Sequence, residues 1–571
     1  MMVEAFYHNP MSSYAYAVSS EEIRIRFRTK KQDVDHVILH YGRKFAWNEQ
    51  YEIEMKKLFT DTYYDYYQTN LKVADNRIGY YFEVHHNQER CYVTEAGIYK
   101  EFQENIAHCL YYQYPSIHPA DLLTKPTWYE NAVFYQIFVD RFANGDSSIN
   151  PEFIADWDSK PESKSVYGGD FEGVRKNLWY LEELGINAIY FTPIFEAPSN
   201  HKYNTTDYKK LDPYFGSMES FKNLVKEAHT RGIRIVLDAV FNHCSDLFWA
   251  FEDVERNQEH SAYKDWFFIH EFPLTKNPPN YDTFANIGYM PRFNTANEEV
   301  QHYLLDVITY WTTECGIDGW RLDVADELSH VFLRKLRDTV KSLGTDLIII
   351  GENWHDGNPW LQGDQFDSIM NYAVTFQTTR YFAKQEINAK QFSEELTTLL
   401  MRYGDTINEL MFNLLDSHDT ERFLFLCKED KRKLKNAVAF LYSYVGIPCI
   451  FYGTEIGLTG GYDPYCRVAF PWEKEKWDEE LLTYFKRIIW IRKNYKAFIK
   501  GTVSFLSTEE LFIMKRTYEG ESIYIVINGT ERSQTIPSEI AKNFGKEILT
   551  GESDGTKILA MSTSYFEGLK I

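Results

Sequence analysis

Apolar residues at helical spacing, then a glycine, then a short run that is apolar nearly throughout: this unit recurs along the middle of the chain. It is read in FEGVRKNLWYLEELG followed by INAIYFTPIF, in SMESFKNLVKEAHTRG followed by IRIVLDAVF, and in EEVQHYLLDVITYWTTECG followed by IDGWRLDV. SHVFLRKLRDTVKSLG with TDLIIIGENW, and RKLKNAVAFLYSYVG with IPCIFYGTE, repeat it. Each helix stops at a glycine (Gly185, Gly232, Gly316, Gly344, Gly446) suited to a left-handed C-terminal cap. Strands apolar on both faces suit a parallel sheet covered by helices. With AVFYQIFVDRF at 132–142, FDSIMNYAV at 366–374 and ELMFNLLDSHD at 409–419 the strands number eight, which predicts an α/β fold, a (β/α)8 TIM barrel rather than an open sheet.

The pattern changes on either side of this barrel, which is expected over 126–500. Residues 1–125 read as an N-terminal β-sandwich, from the strands IRIRFR, HVILHYG, IGYYFEVHH and CYVTEAGIY. YPSIHPADLLTKPTW, with three prolines, reads as its linker. From 244 to 297 the connection after the third barrel strand swells into an inserted subdomain rich in Trp, Phe and Asn, longer than an ordinary βα loop. A C-terminal β domain, expected to be a second sandwich, is read over 501–571 from TVSFLS, LFIMKRTY and SIYIVING.

Polar residues collect at the C-terminal ends of the barrel strands: Asp238 with Asn242 and His243, Arg321 with Asp323, Glu352, and His418 with Asp419. In such a barrel that end carries the active site. Ionised groups at the end of a buried strand are costly, so GWRLDVADE at 319–327 predicts carboxylates displayed at a catalytic mouth. Arg321 and Asp323 stand two apart on a strand and share a face. The guanidinium is expected to depress the pKa of Asp323 and keep it an ionised nucleophile; an ion pair that only orients strand ends is the alternative. Glu352 follows LIIIG, whose desolvation favours the neutral acid a proton donor requires; the alternative is a Glu bonded to a neighbouring arginine or backbone. One ionised and one protonated carboxyl at one mouth are what glycoside hydrolysis needs.

Composition narrows the field. The 571 residues carry a formal net charge of −22, which argues against nucleic acid or an anionic membrane surface as partner. No apolar run reaches the roughly 20 residues of a membrane span, and MMVEAFYHNPMSSY lacks a secretory pattern. The seven cysteines are scattered without a CxxC pair, so neither a disulfide framework nor a zinc site is expected. Without an HExxH or a dense His and Cys cluster, no catalytic metal is expected either. A cytoplasmic location follows from these readings. Aromatics at 17% are mostly core residues, with a weak pointer toward glycans, whose rings pack on aromatic faces.

DAVFNH, GWRLDVADE, GENW and LLDSHDTER resemble, in order and approximate spacing, the four signature segments of the α-amylase superfamily. MPRFN at 290–294 resembles the MPKLN segment of the neopullulanase, cyclomaltodextrinase and maltogenic amylase branch. SNHKYNTTDY at 199–208, GGYDPYCR at 460–467 and the N-terminal RTKKQDVDHVILHYG are similar to that branch too. The resemblance implies Asp323 as nucleophile, Glu352 as general acid and base, and Asp419 as the carboxylate stabilising the transition state. It implies that His243, Arg321 and His418 bind the sugar on the nonreducing side of the cleaved bond, with Tyr203 stacked under it. Asp463 and Arg467 would bind further along, and Trp354, His201 and Phe284 would shape the acceptor side.

The implied reaction is double displacement with retention, acting on α-1,4 bonds of cyclomaltodextrins, maltooligosaccharides, starch and pullulan, with transglycosylation alongside. Maltose, glucose or panose would be the products. The family's calcium loop resembles ANGDSSINP, implying a structural Ca²⁺ held by Asn144, Asp146, Asn150, Gly168 and Asp170, although Ile149 stands where an oxygen side chain is usual. The N-terminal domain, starch-binding-like in this branch, implies a homodimer. An oligo-1,6-glucosidase is the rival within enzymes, and a non-catalytic glucan-binding protein the rival of another class.

Overall fold

A computed structural model describes residues 1–73, 76–102, 110–551 and 553–569; Cys109 lies outside them. The chain divides into two compact units: Met1–Thr124 with Ile387–Asn408 and Val503–Arg516, and the remainder.

The larger unit holds an eight-stranded parallel sheet. Its strands are β1 (Phe134–Ile137), β2 (Ala188–Phe191), β3 (Arg234–Ala239), β4 (Gly319–Leu322), β5 (Ile348–Gly351), β6 (Ser368–Ile369), β7 (Phe412–Leu414) and β8 (Ile447–Phe451). Neighbours follow chain order, β1 also pairs with β8, and a single parallel bridge, Met370 to Phe412, links β6 to β7. The sheet is therefore a nearly closed barrel of the predicted kind.

Several strands are shorter than their apolar runs. β1 ends at Ile137 and the chain turns at once into a helix, Val139–Phe142. β6 keeps only Ser368 and Ile369 before the helix Tyr372–Thr378 begins. Hydrophobicity reports burial, and Val139 and Phe142 after β1, and Met370, Tyr372 and Val374 after β6, stay buried after leaving the sheet. Four of the five predicted capping glycines have positive φ, Gly316 at 65° among them; Gly344 lies at 178°, an extended conformation open to any residue.

The helix Glu298–Cys315 shows how one repeat of the barrel is built. Asn297 caps it by accepting from the amides of Glu299 and Val300, at 2.9 and 3.2 Å. One face buries Val300, Leu304, Val307, Ile308, Trp311 and Cys315, the helical stripe read from sequence. Fully burying each of the larger side chains contributes about 1.5–3 kcal/mol. A C-terminal sheet of the same unit pairs Glu521–Asn528 with Ser562–Gly568, and the latter with Phe544–Glu547.

In the smaller unit two antiparallel sheets share a core of Ile23, Ile25, Phe27, Val37, Leu39, Phe82 and Val84. The alternating burial along Glu22–Lys30 is that of a strand with one face inward. Arg26 is the exception; fully buried, it pairs with Asp405 and donates to the Tyr403 carbonyl at 2.7 Å.

Candidate active site

Strand register brings the polar ends together. Asp238 on β3 is the direct neighbour of Arg321 on β4, and Leu322 that of Gly351 on β5, so Glu352 follows immediately at the same rim. Arg321 is buried and gathers three carboxylates. Its Nη1 lies 2.7 Å from Asp323 Oδ1 and 3.0 Å from both Asp238 oxygens, and Nη2 lies 2.9 Å from Glu352 Oε2. The two carboxylates expected to do the chemistry therefore share one guanidinium. Glu352 also accepts from the Val324 amide at 2.9 Å and from Trp354 Nε1 at 3.2 Å.

Val324 has φ 44° and ψ 47°. A β-branched residue in the left-handed region is strained, and such strain gathers at functional sites. Here the strained residue follows Asp323 and hands its N–H to Glu352, joining the two carboxylates through the backbone.

On the opposite strands, His418 is fully buried. Its Nδ1 faces the Gln136 side-chain amide at 2.7 Å, and its Nε2 meets the Tyr203 hydroxyl. The Tyr203 and His418 rings lie parallel, 4° apart with centroids at 5.3 Å, and the Tyr203 hydroxyl also donates to Asp238 at 3.0 Å. Asp419 lies 3.2 Å from His418 Nε2 and accepts from Arg467 at 3.4 Å; Arg467 in turn pairs with Asp463 at 3.0 Å. His201 Nδ1 accepts from the Tyr203 amide at 3.1 Å. His243 stacks on Phe284 at 4.7 Å. Trp354, 47% exposed, lies flat on Tyr372 at 3.6 Å.

Burial dominates the electrostatics. Asp238 is pushed up to about 6 because burial outweighs the attraction of Arg321. Asp323 moves the same way, well above the usual carboxylate range, since burial and the neighbouring Glu352 and Asp238 outweigh Arg321. This corrects the expectation of a depressed value: one guanidinium shared among three buried carboxylates does not offset their desolvation and mutual repulsion. Burial also lowers the histidines, His243 to about 3, His201 to about 4, and His418 well below 6.5, so all three are neutral hydrogen-bonding groups near pH 7.

Both ring nitrogens of His243, both side-chain polar atoms of Asn242 and Nδ2 of Asn353 find no partner among the described residues. Buried polar atoms without partners are costly, and at this mouth they form a set of neutral donors and acceptors suited to hydroxyl groups. Asp238, Tyr190 and Gln136 complete the network, Tyr190 by donating to Asp238 at 2.6 Å. Asp238 was visible as a strand-end carboxylate. Tyr190 and Gln136 carried no signal, because each sits inside an apolar strand.

In the loop expected to bind calcium, the Asn144 side-chain Nδ2 donates to Asn150 Oδ1 at 3.1 Å. Gly168, at φ 81°, approaches both so closely that a Cβ would come within 2.7 Å of Asn150 Oδ1. Asp170 accepts from the amides of Gly145, Asp146 and Gly173, and Asp146 from Ser148. Ile149 brings no oxygen side chain. Among the described residues no group of three or more His, Cys, Asp or Glu could hold a metal ion.

A barrel with paired carboxylates and hydroxyl-binding neutral groups at its C-terminal rim defines the class, a glycoside hydrolase. Residues 136–494 match the alpha amylase catalytic domain and residues 1–118 the alpha amylase N-terminal ig-like domain; the chain belongs to the α-amylase family. A cyclomaltodextrinase of Geobacillus thermopakistaniensis is 45% identical, covering 97% of this chain and 96% of its own. Neopullulanase 2 of Thermoactinomyces vulgaris is 43% identical over the same shares. A solved cyclomaltodextrinase superposes with a TM-score of 0.93 at 39% identity, covering 99% of this chain and 100% of that one.

Proposed function

We propose that the chain hydrolyses α-1,4-glucosidic bonds in cyclomaltodextrins, maltooligosaccharides, starch and pullulan with retention of configuration, releasing maltose, glucose or panose. The observation that carries this is Arg321 holding Asp323 and Glu352 at one rim beside unpartnered neutral groups. In its ionised form Asp323 attacks the anomeric carbon while Glu352 passes its proton to the leaving oxygen. Water then gives a proton back to Glu352 and its hydroxyl to the anomeric carbon, freeing Asp323; a sugar hydroxyl in place of water gives transglycosylation. Asp419 steadies the positive charge developing on the ring. His243, Arg321 and His418 hold the hydroxyls of that sugar, Tyr203 lies beneath it, and Asp463 with Arg467 holds the next one. Trp354, His201 and Phe284 shape the acceptor side.

Three further readings belong to this proposal. A structural Ca²⁺ would be held by Asn144, Asp146, Asn150, Gly168 and Asp170; the close approach of Gly168, at φ 81°, to Asn150 Oδ1 supports it. The chain works as a homodimer in which the smaller unit takes part, supported by Phe45 and Tyr63 of that unit, 74% and 71% exposed. A cytoplasmic location is supported by the six cysteines among the described residues, all buried and free. Among the described residues no helix is long and apolar enough to cross a membrane.

Parallel digests of cyclodextrin, starch and pullulan with product sizing test the reaction. The wild-type chain is expected to release maltose, glucose or panose. Asp323→Asn is expected to lose at least about 10³-fold in kcat, because it removes the nucleophile; near-normal turnover would overturn the assignment.

A further inference from the structure

His201 and Tyr203 reach the active-site mouth from the loop 197–206, which joins two short antiparallel strands, Phe195–Glu196 and Asp207–Leu211. Between them stands Lys202, at φ 65°, in the left-handed region that residues with a Cβ disfavour. Lys202 is 6% exposed, its side chain buried at the base of the loop. There Nζ lies 2.5 Å from Asp212 Oδ2, donates to the Ala197 carbonyl at 3.2 Å, and sits 5.3 Å from the Phe215 ring centroid.

Asp212, 1% exposed, completes the closure by accepting from the amides of Ala197 at 3.4 Å and Tyr214 at 3.1 Å. One buried ammonium thus ties the residue entering the loop to the residue that follows its second strand. The loop's upper part is built on the same turn. The Lys202 amide donates to Ser199 Oγ at 3.1 Å, Ser199 Oγ lies 3.2 Å from His201 Nδ1, and the Tyr203 amide donates to that nitrogen. The Tyr203 hydroxyl then meets Asp238 and His418.

A buried ion pair is a poor source of net stability, because desolvation offsets most of its attraction. The pair is better understood by what it holds. We infer that the Lys202–Asp212 pair is a positioning device for the reaction: it locks the left-handed turn at residue 202 and so sets where the His201 and Tyr203 rings meet the sugar. Lys202 does not touch the substrate. The inference rests on the glycosidase reading of the site.

The test uses the full chain with cyclomaltodextrin as substrate. Lys202→Met combined with Asp212→Asn removes both charges together and leaves neither unpaired in the interior. Its kcat/KM is expected to fall about 100-fold, the scale of a misplaced contacting group, with most of the loss in kcat. Lys202→Arg keeps the charge and is expected to stay within about tenfold of the parent. A second pair, Lys202→Gly with Asp212→Asn, removes the anchor while accommodating the positive φ, and is expected to lose activity without a comparable fall in Tm.

Each variant is assayed well below its own Tm. The inference is overturned if either double variant keeps kcat/KM within about threefold of the parent, or if its loss matches the unfolded fraction measured by circular dichroism. A parent chain that releases no sugar would overturn the glycosidase reading instead, so the two failures are distinguishable.

Discussion

His243 shows what burial does to a single residue. It is 1% exposed, its pKa falls from 6.5 to about 3, and it stays neutral in the folded chain at pH values where the unfolded chain would protonate it. A folded pKa below the unfolded one contributes stability that is present above pH 6.5 and is lost as pH falls toward 3. At pH 5 the loss from one such histidine is about 2 kcal/mol. Asp238, raised to about 6, acts in the opposite sense, favouring the folded state as pH falls through that value. The difference between variants is therefore the clean measurement. Urea unfolding of His243→Gln at pH 7 and pH 5 is expected to show a pH dependence flatter than wild type by about 2 kcal/mol; an unchanged dependence would mean the ring is charged in the fold.

Two glycines separate the demands of element ends from those of element interiors. Gly316, which ends the helix Glu298–Cys315, has a positive φ, and a Cβ added to it would meet no atom within 4 Å. Gly316→Ala is expected to cost only the backbone strain, about 1–2 kcal/mol, with kcat unchanged. Gly319 on β4 is different: a Cβ there would lie 2.5 Å from the Ile348 carbonyl oxygen. Gly319→Ala must push β4 from β5, and because those strands carry Arg321 and lead into Asp323 and Glu352, both Tm and kcat are expected to fall. Equal effects of the two substitutions on activity would contradict this. The loop around Asn144 and Asp170 offers a further check at this scale. A ligand that binds only the folded state raises its stability, so removing calcium with a chelator is expected to lower Tm and restoring it to recover the value. An unchanged Tm counts against the calcium proposal.

For the molecule as a whole, the net charge of −22 sets the conditions of self-association. Two such chains repel at long range, and salt screens that repulsion within a Debye length of about 8–10 Å at moderate ionic strength. Light scattering at micromolar concentration is expected to find a dimer fraction that rises with salt. A strictly monomeric species under all conditions would remove the dimer proposal. Neutral glucans experience no such steering, so kcat/KM measured on the dimer should be nearly independent of salt.

The periodic runs ending in Gly185, Gly232, Gly316 and Gly446 made the barrel legible, because burying one stripe of a helix and both faces of a strand imposes patterns local enough to read along the chain. The strand-end carboxylates were legible for a related reason: ionised side chains at the end of apolar runs stand out. Strand limits were not, since β1 and β6 pass into helices whose apolar residues next to the strands remain buried. Nor were Tyr190 and Gln136, whose partners Asp238 and His418 are distant in sequence. The direction of the Asp323 shift also depended on assembly, for the local sequence shows Arg321 beside it but not Asp238 and Glu352 on the same guanidinium. Order and spacing along the chain thus determined which elements form and which residues can do chemistry, because those follow from local periodicity and side-chain type. Which charges share a counter-ion, and how far water is kept from them, was decided only when strands distant in sequence came into register.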